Sequence, residues 1–159
     1  MRVAGIDVST HAIAVAWVEL STGRMASHDT FPIEAEKKAN AFQRALAVKH
    51  AMPPAAYWAD VHTIGIEDPW GRGIQSTMAL YRVQGAVIAE LPRDQPFRLW
   101  NPNGWKDALG CGGSASKEEV MVFVQLIEPS FAGNQDEADA LGVAIATRSE
   151  AIFKERSRS

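Results

Sequence analysis

The sequence has few of the features that stabilise secreted proteins or anchor membrane proteins. Its single cysteine, Cys111, cannot form a disulfide within the chain, and the lack of disulfides is typical of a reducing compartment. No segment is apolar over the roughly 20 residues that a membrane-spanning helix needs. Asp7 interrupts the apolar start of the chain, so the pattern of a signal peptide is missing. We therefore expect a cytoplasmic protein.

The chain also lacks the excess of positive charge that is typical of nucleic-acid-binding proteins. Its 16 Lys and Arg residues and 19 Asp and Glu residues give a net charge of −3. This balance argues mildly against a nucleic-acid ligand. A cluster of metal-binding acids would lower the net charge without excluding a local basic patch. The length of 159 residues and the hydrophobic content of 47% are ordinary for one globular domain.

Hydrophobic patterning predicts an α/β protein with helices packed on a mixed sheet. Short apolar runs predict three strands at 2–8, 12–20 and 25–31, which short connections arrange as an antiparallel meander. Helical and alternating periodicities predict the remaining elements. These are helices at 34–50, 75–91, 117–127 and 135–155, strands at 61–67 and 97–100, and a turn or helix at 102–109.

Four acidic residues lie where strands and helices should be buried. Asp7 follows the apolar letters VAGI, Glu67 follows TIGI, and Asp136 and Asp139 lie one turn apart at the start of the last helix. A carboxylate left unpaired in a core is costly, and no basic residue lies near Asp7 or Glu67 in the sequence. Converging oxygen ligands would suit Mg²⁺ or Mn²⁺ better than zinc. Each acid alone could instead be an ion-pair partner or complement a helix dipole.

Four segments that include these acids occur in order along the chain. They are GIDVST at 5–10, IGIEDPW at 64–70, NGWKDALGCGGSASKEEV at 103–120 and DEADALGVAIA at 136–146. Together they resemble the RuvC family of Holliday junction resolvases, which has the ribonuclease H-like fold. The resemblance implies a central five-stranded mixed sheet, with strands one to three antiparallel. It also implies a single nuclease domain over residues 1–150, a basic tail at 151–159, and a prokaryotic or phage origin.

The resemblance implies a catalytic role for each of the four acids. By position, the family's metal-binding carboxylates correspond to Asp7, Glu67, Asp136 and Asp139. They would hold two Mg²⁺ or Mn²⁺ ions for phosphodiester hydrolysis. The family usually has Pro-Gly-Ser after the first strand, where this chain has Val-Ser-Thr, so we expect a different local turn next to Asp7.

Two lysines and the loop after Glu67 would complete the DNA-binding site. Lys106 and Lys117 correspond to the family's lysines that support cleavage and DNA binding. A capping box formed by Ser116 and Glu119 predicts that Lys117 is the first residue of a helix, where free backbone N–H groups favour a phosphate. In the loop, Trp70 corresponds to an aromatic residue that stacks on bases, and Arg72 could contact a phosphate. Packing of Trp70 on a neighbouring helix remains open.

The helix at 75–91 carries two apolar stripes. One consists of Leu80, Val83, Val87 and Leu91, and the other of Met78, Tyr81, Gly85 and Ile88. A helix that is apolar on two sides needs a second partner besides its own sheet. The resemblance implies that the second stripe forms a two-fold homodimer, which suits a roughly two-fold symmetric junction. The alternative is burial between the sheet and the last helix.

The favoured function is resolution of Holliday junctions by paired symmetric nicks. A related ribonuclease H-like nuclease that cuts forks, flaps or RNA–DNA hybrids would need the same acids. A non-catalytic module that binds branched DNA is a further alternative. A sugar kinase or actin-type ATPase, which GIDVST also suggests, is disfavoured because 159 residues cannot supply its two lobes. A branch-migration motor would be a further partner, but the sequence indicates no residues that would bind it.

Overall fold

The computed structural model describes residues 1–69 and 73–157. Within these ranges, five strands and five α-helices follow one another along the chain. They are β1 (Arg2–Val8), β2 (Ala12–Glu19), β3 (Met25–Pro32), α1 (Ala41–Ala51), β4 (Val61–Glu67), α2 (Ile74–Glu90), β5 (Phe97–Trp100), α3 (Pro102–Leu109), α4 (Lys117–Ile127) and α5 (Gln135–Arg156). In the described part of the chain, none of these helices has the length and apolar content to cross a membrane.

The five strands form one mixed sheet in the order β3-β2-β1-β4-β5. β1, β2 and β3 pair antiparallel, whereas β4 runs parallel to both β1 and β5. This arrangement confirms the predicted α/β fold with its antiparallel meander and two further strands. β1 is central, and Ile6 of β1 pairs with Ile66 of β4, so both strands end at the same edge of the sheet.

The sheet is covered on both faces, which places one hydrophobic core on each side. Val3 of β1 packs in the core shared with α3, α4 and α5. Ala4 and Ile6 point the other way, into the core shared with α1 and α2. This alternation follows from the two-residue repeat of a strand. A central strand that is apolar on both faces leaves Asp7, at its end, next to a buried environment.

α5 lies directly on the sheet because its contacting residues are small. A Cβ placed on Gly5 of β1 would lie 2.1 Å from the Ala140 carbonyl oxygen and 2.3 Å from the Ala144 amide nitrogen. On β4, a Cβ on Gly65 would lie 2.0 Å from Thr147 Oγ1. This close approach of the small-residue helix brings the start of α5 to the edge where β1 and β4 end.

The prediction of a helix at 34–50 is wrong at its start, and the apolar residues of this helix are not buried as their spacing suggests. α1 begins at Ala41 instead of residue 34, because Asn40 caps it and Gln43 completes a capping box. Phe42 and Leu46, which the helical periodicity places on the buried face, are 63% and 78% exposed. Val48 and Ala51 are buried in their place.

Candidate active site

A cavity of about 310 Å³ opens where β1 and β4 end. All six predicted acids and lysines that the structure describes line it: Asp7, Glu67, Lys106, Lys117, Asp136 and Asp139. They come from β1, β4, α3, α4 and α5, so the cavity exists only in the folded chain. The predicted DNA contacts Trp70 and Arg72 lie outside the described residues.

The same local arrangement aims both strand acids at α5. Asp7 lies two residues after Gly5, and Glu67 two residues after Gly65, and both glycines press against α5. Because side chains two residues apart on a strand share a face, Asp7 and Glu67 also point toward α5. Asp139 lies one helical turn before Val143, which is itself in contact range of Gly65. The acids therefore meet at the start of that helix.

Burial and mutual repulsion make the acidic cluster hard to ionise completely. Burial raises the pKa of Asp7 well above its usual value, and the charges of Glu67, Asp139 and Asp136 raise it further. Burial, followed by the charge of Asp139, raises the pKa of Glu67 to about 7. Burial also raises the pKa of Asp139, against the opposing influence of Lys117. A bound cation would relieve this repulsion.

The donor set fits a hard divalent cation, which prefers carboxylate oxygens. In residues 1–69 and 73–157, however, no three carboxylate, imidazole or thiol groups stand together as a ready-made coordination site. The four acids share one cavity but would have to turn toward an ion in order to bind it together.

The two lysines have different surroundings. Lys117 Nζ lies 3.9 Å from Asp136 Oδ1 and 3.7 Å from Asp139 Oδ2, and its side chain is 55% exposed, so these ion pairs are weak. Lys117 is the first residue of α4, and the predicted capping box of Ser116 and Glu119 is confirmed. Lys106 Nζ instead donates to the Ala115 carbonyl oxygen at 2.7 Å, which ties α3 to the loop before α4.

Two residues that hold Glu67 were not identified as site residues from the sequence. Trp105 Nε1 donates to Glu67 Oε2 at 2.9 Å, and Gln84 Nε2 donates to the Glu67 backbone carbonyl at 2.7 Å. Nothing in the local sequence around Trp105 signals a hydrogen bond to a residue 38 positions away.

A network of hydrogen bonds around Glu137 fixes the start of α5. Glu137 accepts a hydrogen bond from Thr30 Oγ1 at 2.8 Å and another from the Asn134 amide at 2.9 Å. The Asn134 side chain in return accepts from the Glu137 amide and caps the helix. Glu137 therefore faces β3, while its neighbour Asp136 lines the cavity.

The curated proteins that match the chain are named crossover junction endodeoxyribonuclease RuvC. No protein-family model matches the chain. The crossover junction endodeoxyribonuclease RuvC of Christiangramia forsetii is 38% identical over 86 residues, which are 52% of this chain and 45% of that protein. The chain thus spans about half the length of that relative. The RuvC of Salinibacter ruber is 28% identical over 156 residues, which cover 91% of this chain and 83% of that protein.

Solved structures agree with these relatives at the level of the fold. Thermus thermophilus RuvC matches with a TM-score of 0.77, at 21% identity, over 97% of each chain. The complex of T. thermophilus RuvC with a Holliday junction substrate gives a TM-score of 0.75 at 20% identity, over 96% of each chain. At this identity the likeness shows a shared ribonuclease H-like architecture.

Proposed function

We propose that this chain is a crossover junction endodeoxyribonuclease of the RuvC family, because the curated proteins that it matches carry that name and its fold matches that of T. thermophilus RuvC. In this proposal it resolves Holliday junctions by paired symmetric nicks, with residues 1–150 as the nuclease domain and 151–159 as a basic tail. The observation that carries the proposal is the single cavity lined by four acids and two lysines. Its place of action would be the cytoplasm of a prokaryotic or phage-infected cell, where the DNA is.

In this proposal, Asp7, Glu67, Asp136 and Asp139 hold two Mg²⁺ ions, which Mn²⁺ can replace. When bound, such cations supply an activated water and stabilise the leaving 3′ oxygen. The protein supplies converging carboxylates on three elements, held by the sheet and by a helix that packs closely on it. Support comes from the raised pKa values of Asp7, Glu67 and Asp139, since an anionic cluster of this kind is relieved by a cation.

We propose that the cationic groups of the site bind the phosphate backbone. Lys117 combines an ammonium group with the free backbone N–H groups at the start of α4, which together favour a phosphate. Lys106 would hold the loop before α4 and contact DNA from the same cavity. For Trp70 and Arg72, base stacking and phosphate contact are proposed because both residues closely follow Glu67 in the sequence.

We further propose a homodimer built on the outer face of α2. The α2 outer stripe consists of the four residues of the second predicted stripe, Met78, Tyr81, Gly85 and Ile88, and of Ile74, one turn before them. Ile74, Met78 and Tyr81 are 81%, 50% and 43% exposed, and a Cβ on Gly85 would meet nothing within 4 Å. α5 does not cover this stripe, because α2 and α5 pack on opposite faces of the sheet. A second copy would bury it.

Cleavage of a labelled synthetic four-way junction, with Mg²⁺ and with EDTA, tests the function. Splayed-arm, flap and RNA–DNA hybrid substrates are tested in parallel, and the Asp7→Asn protein is the inactive control. We expect Mg²⁺-dependent nicks at symmetric positions of the junction, lost in Asp7→Asn while junction binding remains. Preferential cutting of forks, flaps or hybrids would support metal-dependent hydrolysis but refute the Holliday junction as the substrate. Junction binding without cutting, both in Mg²⁺ and in a parallel reaction with Mn²⁺, would refute the enzymatic activity.

A further inference from the structure

The Trp105 side chain is held in one place by the core around it. Its side chain is fully buried in the middle of α3. A Cβ placed on Gly142 of α5 would lie 2.6 Å from Trp105 Cζ3, so the indole ring is pressed against that helix. Asn101 caps the start of α3, and Gly110 ends it in the left-handed conformation with φ of 99°. The ring is therefore held by rigid neighbours.

The polar group of this ring is bonded to the Glu67 carboxylate. Trp105 Nε1 donates to Glu67 Oε2 at 2.9 Å. An indole N–H can only donate and does not ionise near neutral pH, so it holds a carboxylate oxygen without competing as a ligand or a base. A buried indole N–H that loses its acceptor is costly, which favours this one placement of the Glu67 side chain.

We propose that Trp105 is a positioning residue for cation binding, because its N–H holds Glu67 Oε2 and leaves Oε1 for the cation. Gln84 holds the backbone carbonyl of Glu67, so both ends of the residue are fixed. Partners that orient metal ligands typically change metal affinity by about 10–100-fold when they are removed. The inference rests on the proposed metal-dependent function of the cavity.

The chain offers a matched control in a second buried tryptophan. Trp100 Nε1 donates to Thr147 Oγ1 at 2.8 Å, and Trp100 does not line the acidic cavity. Trp105→Phe and Trp100→Phe each replace a buried indole with the smaller phenyl ring. Each substitution also removes one indole hydrogen bond. A difference between the two variants thus reports the bond to Glu67, and an equal effect reports general loss of packing.

The direct test is calorimetric titration of the full chain, without DNA, with Mn²⁺ and separately with Ca²⁺. We expect Trp105→Phe to weaken Mn²⁺ binding by about 10-fold or more, and Trp100→Phe to stay within about twofold. In a Glu67→Gln background, Trp105→Phe should weaken binding no further, because the two residues act as a unit. Equal weakening in both tryptophan variants, or additive effects in the Glu67→Gln background, would overturn the proposal.

Two further measurements separate this inference from folding and from the proposed function. If Trp105→Phe does not fold, a benzothiophene analogue of tryptophan at position 105 keeps the ring shape and removes the N–H, and the same weakening is expected. A wild-type chain that binds Mn²⁺ through Glu67 but does not cut junctions would end the proposed function alone. A chain that cuts junctions while both tryptophan variants bind Mn²⁺ equally would end this inference alone. A wild-type chain that binds neither Mn²⁺ nor Ca²⁺ would end both.

Discussion

At the scale of single residues, Asp7 stands between the apolar positions of β1 and three other carboxylates. Its burial and the charges around it raise its pKa, so the ionised state needed to bind a cation is unfavourable without one. The same holds for Glu67, whose pKa is raised to about 7 by burial and by the charge of Asp139. The site therefore reduces the stability of the cation-free protein at neutral pH, because like charges are held together in a buried place.

This residue-scale conflict predicts the pH dependence of stability. Glu67 has a pKa of about 7 in the folded protein against 4.5 as its ordinary value, so its neutral form favours the folded state. That advantage is complete below about pH 4.5 and is lost as the pH rises through 7. In EDTA, we expect the Tm of the wild type to fall relative to that of Glu67→Gln between pH 5 and pH 8, by roughly 5 °C.

Thermal melts of the two proteins at matched ionic strength measure this difference, and saturating Mg²⁺ should reduce it for the wild type. Asp7 and Asp139, whose pKa values are also raised, contribute in the same direction. Parallel Tm curves for the wild type and Glu67→Gln across this pH range would show that the cluster is not strained.

The acids could be found from the sequence because their signal is local. A charged residue directly after an apolar strand run is visible in seven letters, and this pattern selects both Asp7 and Glu67. The hydrogen bonds that orient Glu67 join it to Gln84 and Trp105, which are 17 and 38 positions away. Such contacts depend on how α2 and α3 pack, and no periodicity in the sequence encodes them.

At the scale of elements, the site depends on how closely α5 approaches β1. Gly5→Ala would place a Cβ 2.1 Å from the Ala140 carbonyl oxygen and 2.3 Å from the Ala144 amide, both of which are backbone atoms that cannot rotate away. We expect it to lower the free energy of unfolding by about 3 kcal/mol, because α5 must shift away from the sheet. Urea denaturation followed by circular dichroism measures this change.

The control for Gly5→Ala is Gly104→Ala in α3. There a Cβ would lie 3.8 Å from the nearest atom, in ordinary contact with the Trp100 ring. Because alanine favours a helix more than glycine, we expect this variant to be unchanged or more stable by up to about 1 kcal/mol. Equal stability of Gly5→Ala and Gly104→Ala would contradict the close packing of α5.

Element boundaries were predictable where capping and apolar spacing agree, and not where they conflict. α4 begins at Lys117 as its capping box predicts. For α1, the spacing of Phe42 and Leu46 suggests a longer helix with those residues buried, whereas the capping box of Asn40 and Gln43 fixes a later start. Apolar residues on an exposed face cannot be told from core residues by spacing alone.

At the scale of the whole molecule, the mixed sheet keeps the acidic cavity apart from the α2 outer stripe. The edge where β1 and β4 end carries the acidic cavity, and α5 covers one face of the sheet beside it. α2 lies on the other face, so the α2 outer stripe is available to a second copy. This division follows from the strand order and predicts that association and active-site geometry can be changed independently.

The homodimer predicts a specific effect of charge on the α2 outer stripe. Met78→Glu places like charges at a two-fold interface, so we expect sedimentation equilibrium to change from twice the chain mass of 17.3 kDa to that mass. Leu126→Glu introduces the same charge on the outer face of α4, where Leu126 is 71% exposed, and should leave the dimer intact. A monomeric wild type, or an equal loss of association in both variants, would contradict the proposed interface.

The most direct test of the central claim is cleavage of a supercoiled plasmid that extrudes a cruciform, with the wild type and Asp7→Asn in Mg²⁺. If the acidic cavity of a two-fold dimer resolves junctions by paired nicks, linear product should form directly, and neither linear nor nicked plasmid should form with Asp7→Asn. Accumulation of nicked circles without linear product, or linear product from Asp7→Asn, would contradict the account.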